Sequence, residues 1–160
     1  MTVTNVKKDE QALTLVISAE FDAPMARVWQ LFEDPRQLER WWGPPTYPAT
    51  FTDHDFTPGG RMAYYMTGPD GDKPHGWWRV LSLDPPHSLE FENGLADDAG
   101  EPIAEMLPMI MTINLAERSG GGTILSIQTY FQTPEVMNKV MTMGMEEGMK
   151  GAMSQMDGLL

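Results

Sequence analysis

Cysteine is absent from the sequence. Its absence excludes a disulfide scaffold, a zinc site built on thiolates and a cysteine nucleophile. Basic residues are also scarce, with 11 Lys and Arg against 23 Asp and Glu and a formal net charge of −12. Because nucleic acids and anionic membranes attract clustered positive charge, neither is expected as a partner.

Long hydrophobic runs are missing as well. No stretch approaches the roughly 18 apolar residues of a membrane-spanning helix, so membrane insertion is not expected. The first segment, MTVTNVKKDEQALTL, has charged residues at 7–10, where a secretory signal needs an apolar segment. We therefore expect a cytoplasmic protein with a single domain over residues 1–160, preceded by a frayed lead-in at 1–10.

Patterns for metal binding and catalysis are scarce. The histidines, His54, His75 and His87, are far apart and lack a chelating spacing. The sequence has no Gly-x-Ser-x-Gly motif for a nucleophile. The glycines at 59–60 and 120–122 fall in predicted turns between strands, whereas a phosphate-binding loop precedes a helix. We predict no metal site, no cofactor and no catalytic residue set.

Alternating apolar residues predict a series of strands. From Leu13 to Phe21 every second residue is apolar, which is typical of a half-buried strand. Further strands are predicted in TYPATFTDHDF, RMAYYM, WWRVLSL, SLEFE, EMLPMIMTINLAE and TILSIQTYF, separated by turns rich in Gly, Pro or Asp. Alternating segments joined by tight turns indicate an antiparallel meander with one face exposed to solvent.

Two short helices are predicted after the first strand. Met25, Val28, Trp29 and Phe32 have the i, i+3, i+4, i+7 spacing of one helical face. Asp34 is placed to cap a second helix, which reaches the tryptophans at 41–42 and ends at the Gly-Pro-Pro that follows.

The C-terminal segment mixes methionine and glycine in a helical pattern. It opens with a capping threonine and a proline at 133–134 and is predicted to continue as one long amphipathic helix. Two interpretations of the glycines at 144, 148 and 151 stay open. They bring the helix close to the sheet in a dense core, or they leave volume that adaptable Met side chains line.

Several segments together resemble a known family. They are FDAPMARVWQLFEDPRQLERWWGP, FTPGGRMAYYMTGPDG, VLSLDPPHSLEF and GGGTILSIQTYF, the last followed by a Pro-Glu helix. Over residues 12–160 the sequence resembles the START/Bet v 1-like superfamily (SRPBCC), and within it the branch related to the C-terminal domain of the activator of Hsp90 ATPase. The resemblance implies an α+β helix-grip fold. In it, a curved antiparallel sheet of about six to seven strands wraps around a long C-terminal helix, with two short helices after the first strand.

The resemblance also implies three functions. Superfamily members bind lipids, sterols, hormones or polyketides, which favours non-enzymatic binding of a hydrophobic or amphipathic small molecule between sheet and C-terminal helix. One alternative is a chaperone-associated module whose acidic surface meets a basic partner, and a second copy of the chain is a further candidate partner. The other alternative is a polyketide cyclase-like enzyme, which requires an ionisable group in the pocket. Arg79 and His75 are the candidates for that group.

The predicted ligand site combines inward strand positions with the methionine face of the last helix. Trp42 either anchors the chain or covers the pocket. Arg79 points inward if its parity follows Leu81, and outward if Trp78 and Val80 point inward. The predicted ligand-binding residues are Trp42, Met62, Tyr64, Arg79, Met109, Met111, Met141 and Met145.

Overall fold

Residues 2–160, which this computed structural model describes, are built on one antiparallel sheet. Its strands are β1 (Thr2–Asp9), β2 (Thr14–Phe21), β3 (Ala49–His54), β4 (Arg61–Met66), β5 (His75–Asp84), β6 (Ser88–Ala96), β7 (Met109–Glu117) and β8 (Thr123–Tyr130). The helices are α1 (Met25–Glu33), α2 (Pro35–Leu38), α3 (Pro134–Thr142) and α4 (Met145–Met153), followed by a 3-10 turn at Asp157–Leu159. Among the described residues, no helix is long and apolar enough to cross a membrane.

The 8-stranded sheet has the order β1-β2-β8-β7-β6-β5-β4-β3. Strands β3 to β8 form a meander of consecutive neighbours, as the alternating pattern predicts. Strand β2 pairs with β8 in a register that places Ile17 opposite Ile127, so the beginning of the chain is joined to its end. The curved antiparallel sheet and C-terminal helices confirm the predicted α+β helix-grip class, although the sheet has more strands than the six to seven predicted.

The unpredicted strand is β1. Residues 1–10 are expected to be frayed, and this prediction is wrong for Thr2–Asp9, which pair with β2. A register shift between Val3 and Asn5 breaks the period-two alternation. As a result Val3 and Val6, three positions apart, both pack against the core, and the sequence shows no strand periodicity there.

The inner face of the sheet packs against the helices in one apolar core. The helical face predicted in α1 is confirmed, since Val28, Trp29 and Phe32 are buried in this core. Trp41 is also fully buried, and its Nε1 donates a hydrogen bond to the Leu31 carbonyl oxygen at 2.8 Å. Burying each large apolar side chain contributes about 1.5–3 kcal/mol, so these residues fix α1 and the following turn on the sheet.

The predicted single C-terminal helix is interrupted. Helix α3 ends before Gly144, which has a φ of 90°, and α4 begins after it. Glycine adopts this left-handed conformation without the steric cost of a Cβ. After the break, Met153 is fully buried although a continuous helical wheel places it beside Glu146, and Met156 is fully buried as well.

The glycines of this segment do not bring the helix backbone close to the sheet. Gly144 serves the turn between the helices. Within the described residues, a methyl group at Gly148 would meet no atom within 4 Å, and one at Gly151 would lie 3.7 Å from Pro44 and Pro45. The close approach to the sheet that one interpretation assigned to these glycines is therefore wrong, although the core itself is filled by fully buried side chains such as Met62, Trp78 and Met111.

The end of α4 is fastened to the turn that follows α2. Gln155 donates a hydrogen bond from Nε2 to the Gly43 carbonyl oxygen at 2.6 Å. Gly43 itself has no room for a side chain, because an added Cβ would clash with the Tyr47 carbonyl oxygen. This contact holds α4 at one end of the sheet.

Gly144→Ala is expected to lower the free energy of unfolding by about 1–2 kcal/mol, because a residue with a Cβ is strained in the left-handed conformation. Gly148→Ala is the matched control. Its methyl group enters open space inside α4, so it is expected to stabilise the protein by about 0.5–1 kcal/mol. Urea denaturation followed by circular dichroism measures both variants. Shifts of the same sign would contradict the helix break at Gly144.

Candidate functional site

Trp42 lies at the centre of an aromatic cluster between the sheet and the helices. Its ring centroid is 4.7 Å from that of Trp78, 6.1 Å from that of Tyr64 and 6.2 Å from that of Phe91. The rings of Trp78 and Phe91 stack at 3.7 Å with an interplanar angle of 15°. Trp42 is only 5% exposed, so it anchors the chain, and the alternative that it covers a pocket opening is wrong.

Two polar side chains adjoin this cluster. Asn93 is buried, and its Nδ2 donates hydrogen bonds to the Tyr64 hydroxyl at 3.3 Å and to the Trp77 carbonyl oxygen at 3.1 Å. Burial raises the pKa of Tyr64, an effect that the nearby Trp42 and Asn93 donors oppose. Tyr64 therefore stays a neutral phenol at physiological pH and keeps its hydroxyl proton.

Two buried indole groups of the cluster have no well-formed hydrogen bond, although that of Trp42 lies near the Tyr64 hydroxyl. Among buried side-chain nitrogen and oxygen atoms in the described chain, Trp42 Nε1 and Trp78 Nε1 are the two without a well-formed hydrogen bond. By contrast, Trp29 Nε1 donates to Glu33 at 3.0 Å, and Trp41 Nε1 is also bonded. A buried donor left unpaired costs about 1–3 kcal/mol, so these groups favour an acceptor.

An apolar pocket, here called the mouth pocket, lies between β6, the segment before β7, and α3. Its volume is about 80 Å³. Three of its side chains are large, apolar and exposed: Leu95 by 37%, Leu107 by 40% and Met143 by 64%. The pocket is lined by Asn93, Gly94, Leu95, Met106, Leu107, Met109, Val140 and Met143.

The structure does not bring all the predicted ligand-binding residues together. Met62 and Met111, like Tyr64, point into the core, where both methionines are fully buried. Met109 lines the mouth pocket. Met141 lines a separate pocket of about 160 Å³ beside the turn between β1 and β2. Met145 is partly buried against the core.

Of the two orientations considered for Arg79, the structure shows the outward one, so its inclusion among the ligand-binding residues is wrong. Trp78 and Val80 are fully buried, and Arg79 between them is exposed on the outer face of β5. The sheet register shifts between Val80 and Ser82, so the parity of Leu81 does not apply to Arg79. The ionisable group required for a cyclase-like enzyme is therefore not supplied by this arginine.

The other candidate, His75, also lies away from the space between the sheet and the C-terminal helices. It is in a groove on the outer face of the sheet, with Arg61 and Tyr65, and its Nδ1 is 4.0 Å from an Asp98 carboxylate oxygen. The same ring nitrogen is 2.8 Å from the Lys73 carbonyl oxygen. Neither predicted ionisable group faces the aromatic cluster.

Several residues of the mouth pocket were not predicted. The expected strand SLEFE stops at Glu92, whereas β6 continues to Ala96. Extending the alternation of that strand places Asn93 and Leu95 on its inner face, so the sequence contained this signal. Met143 had no such signal, because its position depends on where α3 ends.

Comparison with known proteins agrees with this architecture. A family described as "Activator of Hsp90 ATPase homolog 1-like protein" matches residues 22–160. A solution NMR structure of a protein from Arthrobacter aurescens is 52% identical, with a TM-score of 0.93, over 98% of this chain and 90% of that chain. A crystal structure of a protein from Mycobacterium smegmatis is 45% identical, with a TM-score of 0.91, over 99% of this chain and 97% of that chain.

More distant relatives share the fold. The crystal structure of the AHSA1 protein from Silicibacter pomeroyi is 21% identical, with a TM-score of 0.73, and covers 91% of this chain and 95% of that chain. No curated protein matches the sequence. Since the family match includes every element from α1 to the last turn, the chain belongs to the family of proteins like the activator of Hsp90 ATPase homolog 1.

Proposed function

We propose that this protein binds an apolar or amphipathic small molecule at the mouth pocket, without a defined reaction. The observation that carries this proposal is the convergence of three exposed apolar side chains, Leu95, Leu107 and Met143, on one apolar concavity. Exposed apolar groups gathered around a pocket with few polar atoms are typical of small-molecule sites.

The ligand must extend deeper into the protein than the mouth pocket. Removing 100 Å² of apolar surface from water contributes about 2.5 kcal/mol, whereas micromolar binding requires about 8 kcal/mol. The pocket of about 80 Å³ is also smaller than most ligand sites, which have volumes of about 300–1,000 Å³. The apolar body of the ligand therefore has to move between the sheet and α3.

The side of the pocket formed by α3 is suited to such movement. Within α3, all of which the structure describes, Met137 is the one buried residue, and the helix is joined to α4 through Gly144. The methionines of the pocket, Met106, Met109 and Met143, have flexible side chains that repack around different shapes. Opening at α3 therefore uncovers one buried side chain, Met137, and the partly buried Val136, Val140 and Met141.

A protein partner is the second candidate function. The turn between Leu95 and Met106 carries exposed Asp97, Asp98 and Glu101, close in sequence to the apolar side chains of the mouth pocket. An acidic and apolar surface matches a partner with basic and apolar groups, and the family name includes an activator of Hsp90 ATPase. Under this alternative, purified Hsp90 binds at low salt and is released at high salt. A missing complex at low salt contradicts it.

The neutral fluorescent probe N-phenyl-1-naphthylamine is expected to bind with a stoichiometry of one per chain. Transfer of the probe from water to the apolar pocket raises its emission, and binding to the native state raises the melting temperature. Fluorescence titration and thermal denaturation measure the two effects. An unsaturable emission increase without a shift in melting temperature contradicts specific binding.

The double variant Leu107→Ser/Met143→Ser is expected to weaken probe binding about tenfold, since about 1.4 kcal/mol of apolar contact is removed. The control is Ile124→Ser/Tyr130→Ser. Ile124 and Tyr130 are 37% and 40% exposed and lie on the outer face of β8, so their replacement is expected to leave the dissociation constant unchanged. Equal weakening in both variants would place the probe elsewhere.

A further inference from the structure

We infer that the ligand of the mouth pocket carries an uncharged hydrogen-bond acceptor, such as a ketone oxygen, which the buried indole N–H groups of Trp42 and Trp78 bind. This inference rests on the proposed function and specifies the ligand class for the same site. It depends on a line of polar groups leading inward, on two unpaired donors, and on the lack of buried charge among the described residues.

The polar groups connect the mouth pocket to the interior. Asn93 lines the pocket and donates a hydrogen bond to the Tyr64 hydroxyl at 3.3 Å. The Tyr64 ring is next to that of Trp42, with 6.1 Å between centroids, and Trp42 is next to Trp78, with 4.7 Å between centroids. Asn93, Tyr64, Trp42 and Trp78 therefore form a contiguous series of neighbours from the mouth pocket to the two indole groups.

The unpaired groups determine the hydrogen-bonding role of the ligand. An indole N–H is a donor only, so its partner must be an acceptor. Trp42 Nε1 and Trp78 Nε1 have no well-formed hydrogen bond among residues 2–160. A ligand acceptor that reaches Trp78 Nε1 adds a hydrogen bond without displacing one, and at Trp42 Nε1 it replaces only a poorly formed interaction with Tyr64. A hydrocarbon of the same shape cannot do so.

The charge of the site determines the kind of acceptor. In the described chain the buried polar residues are Asn93, Thr123 and Thr129, none of which is charged. Bringing a carboxylate into such an interior without a cation is unfavourable by several kcal/mol or more. Arg79, which the sequence analysis considered as a possible inward cation, is on the outer face. A neutral oxygen acceptor is therefore favoured over an anionic one.

A matched pair of probes tests the inference. Benzophenone and diphenylmethane have the same two rings, and a carbonyl group in the first replaces a methylene group in the second. Displacement of N-phenyl-1-naphthylamine is expected to show benzophenone binding about tenfold more tightly, as one added hydrogen bond of about 1.4 kcal/mol requires. Diphenylacetate, the anionic analogue, is expected to bind at least tenfold more weakly than benzophenone.

NMR spectra of the ¹⁵N-labelled protein locate the hydrogen bond. The chain has 5 tryptophans and therefore 5 indole N–H signals. Benzophenone is expected to shift the Trp42 and Trp78 signals downfield and diphenylmethane is not. The Trp41 signal is the internal control, because its Nε1 already donates to Leu31. This measurement uses the unmodified protein, so it does not depend on a variant that folds.

Trp78→Phe is expected to keep a ring stacked on Phe91. It is also expected to bind benzophenone and diphenylmethane with nearly equal affinities. Trp77→Phe is the control, because the Nε1 of Trp77 is not among the unpaired buried donors of the described chain. This variant is expected to keep the tenfold preference for benzophenone. Each variant lacks one indole N–H signal, which identifies the signals of Trp78 and Trp77 in the spectrum of the unmodified protein.

The outcomes separate this inference from the proposed function. Equal affinities for benzophenone and diphenylmethane, or unshifted Trp42 and Trp78 signals, would overturn the inference and leave small-molecule binding in place. Diphenylacetate binding as tightly as benzophenone would overturn the requirement for an uncharged acceptor. If neither these probes nor N-phenyl-1-naphthylamine bind, both proposals are overturned.

Discussion

The contact of Trp42 with the stacked pair Trp78 and Phe91 joins three parts of the molecule. Trp78 and Phe91 come from neighbouring strands, and Trp42 comes from the turn after α2. The same turn accepts the hydrogen bond of Gln155 at Gly43, so α4 is attached there too. Each buried ring contributes about 1.5–3 kcal/mol, with a further 0.5–1.5 kcal/mol for each favourable ring pair. Sheet, short helices and C-terminal helix are therefore fixed relative to one another at this point.

The contacts at that junction hold α4 more firmly on the sheet than α3. Since α4 is held by buried Met153 and by Gln155, it has little freedom to move away from the sheet. Helix α3 has one buried residue, Met137, with Val136, Val140 and Met141 partly buried against the core, and Gly144 separates it from α4. Helix α4 and the turn after it thus contain more fully buried residues than α3, and the exposed apolar residues of the mouth pocket lie at the α3 end.

The sequence predicted the features that depend on local periodicity. The alternation around Leu15 and Ile17 identified β2, and the helical spacing in α1 identified its buried face. Features that depend on an irregularity were missed or misjudged. A register shift hid β1, another made the parity of Leu81 an unreliable guide to Arg79, and one positive φ divided the last helix at Gly144. Each is a single-residue event that composition and period do not determine, although the side-chain pattern of a whole element depends on it.

The site shows the same division between pattern and irregularity. Its methionines and leucines follow from apolar patterning, whereas its polar character depends on Asn93 at an inward position and on two indole nitrogens without partners. If Trp42 and Trp78 served packing alone, phenylalanine would fill much of the same space without the cost of an unpaired buried donor. The tryptophans therefore reduce the stability of the ligand-free interior. Any molecule that satisfies them regains that free energy on binding, which couples ligand affinity to the same junction that holds the fold together.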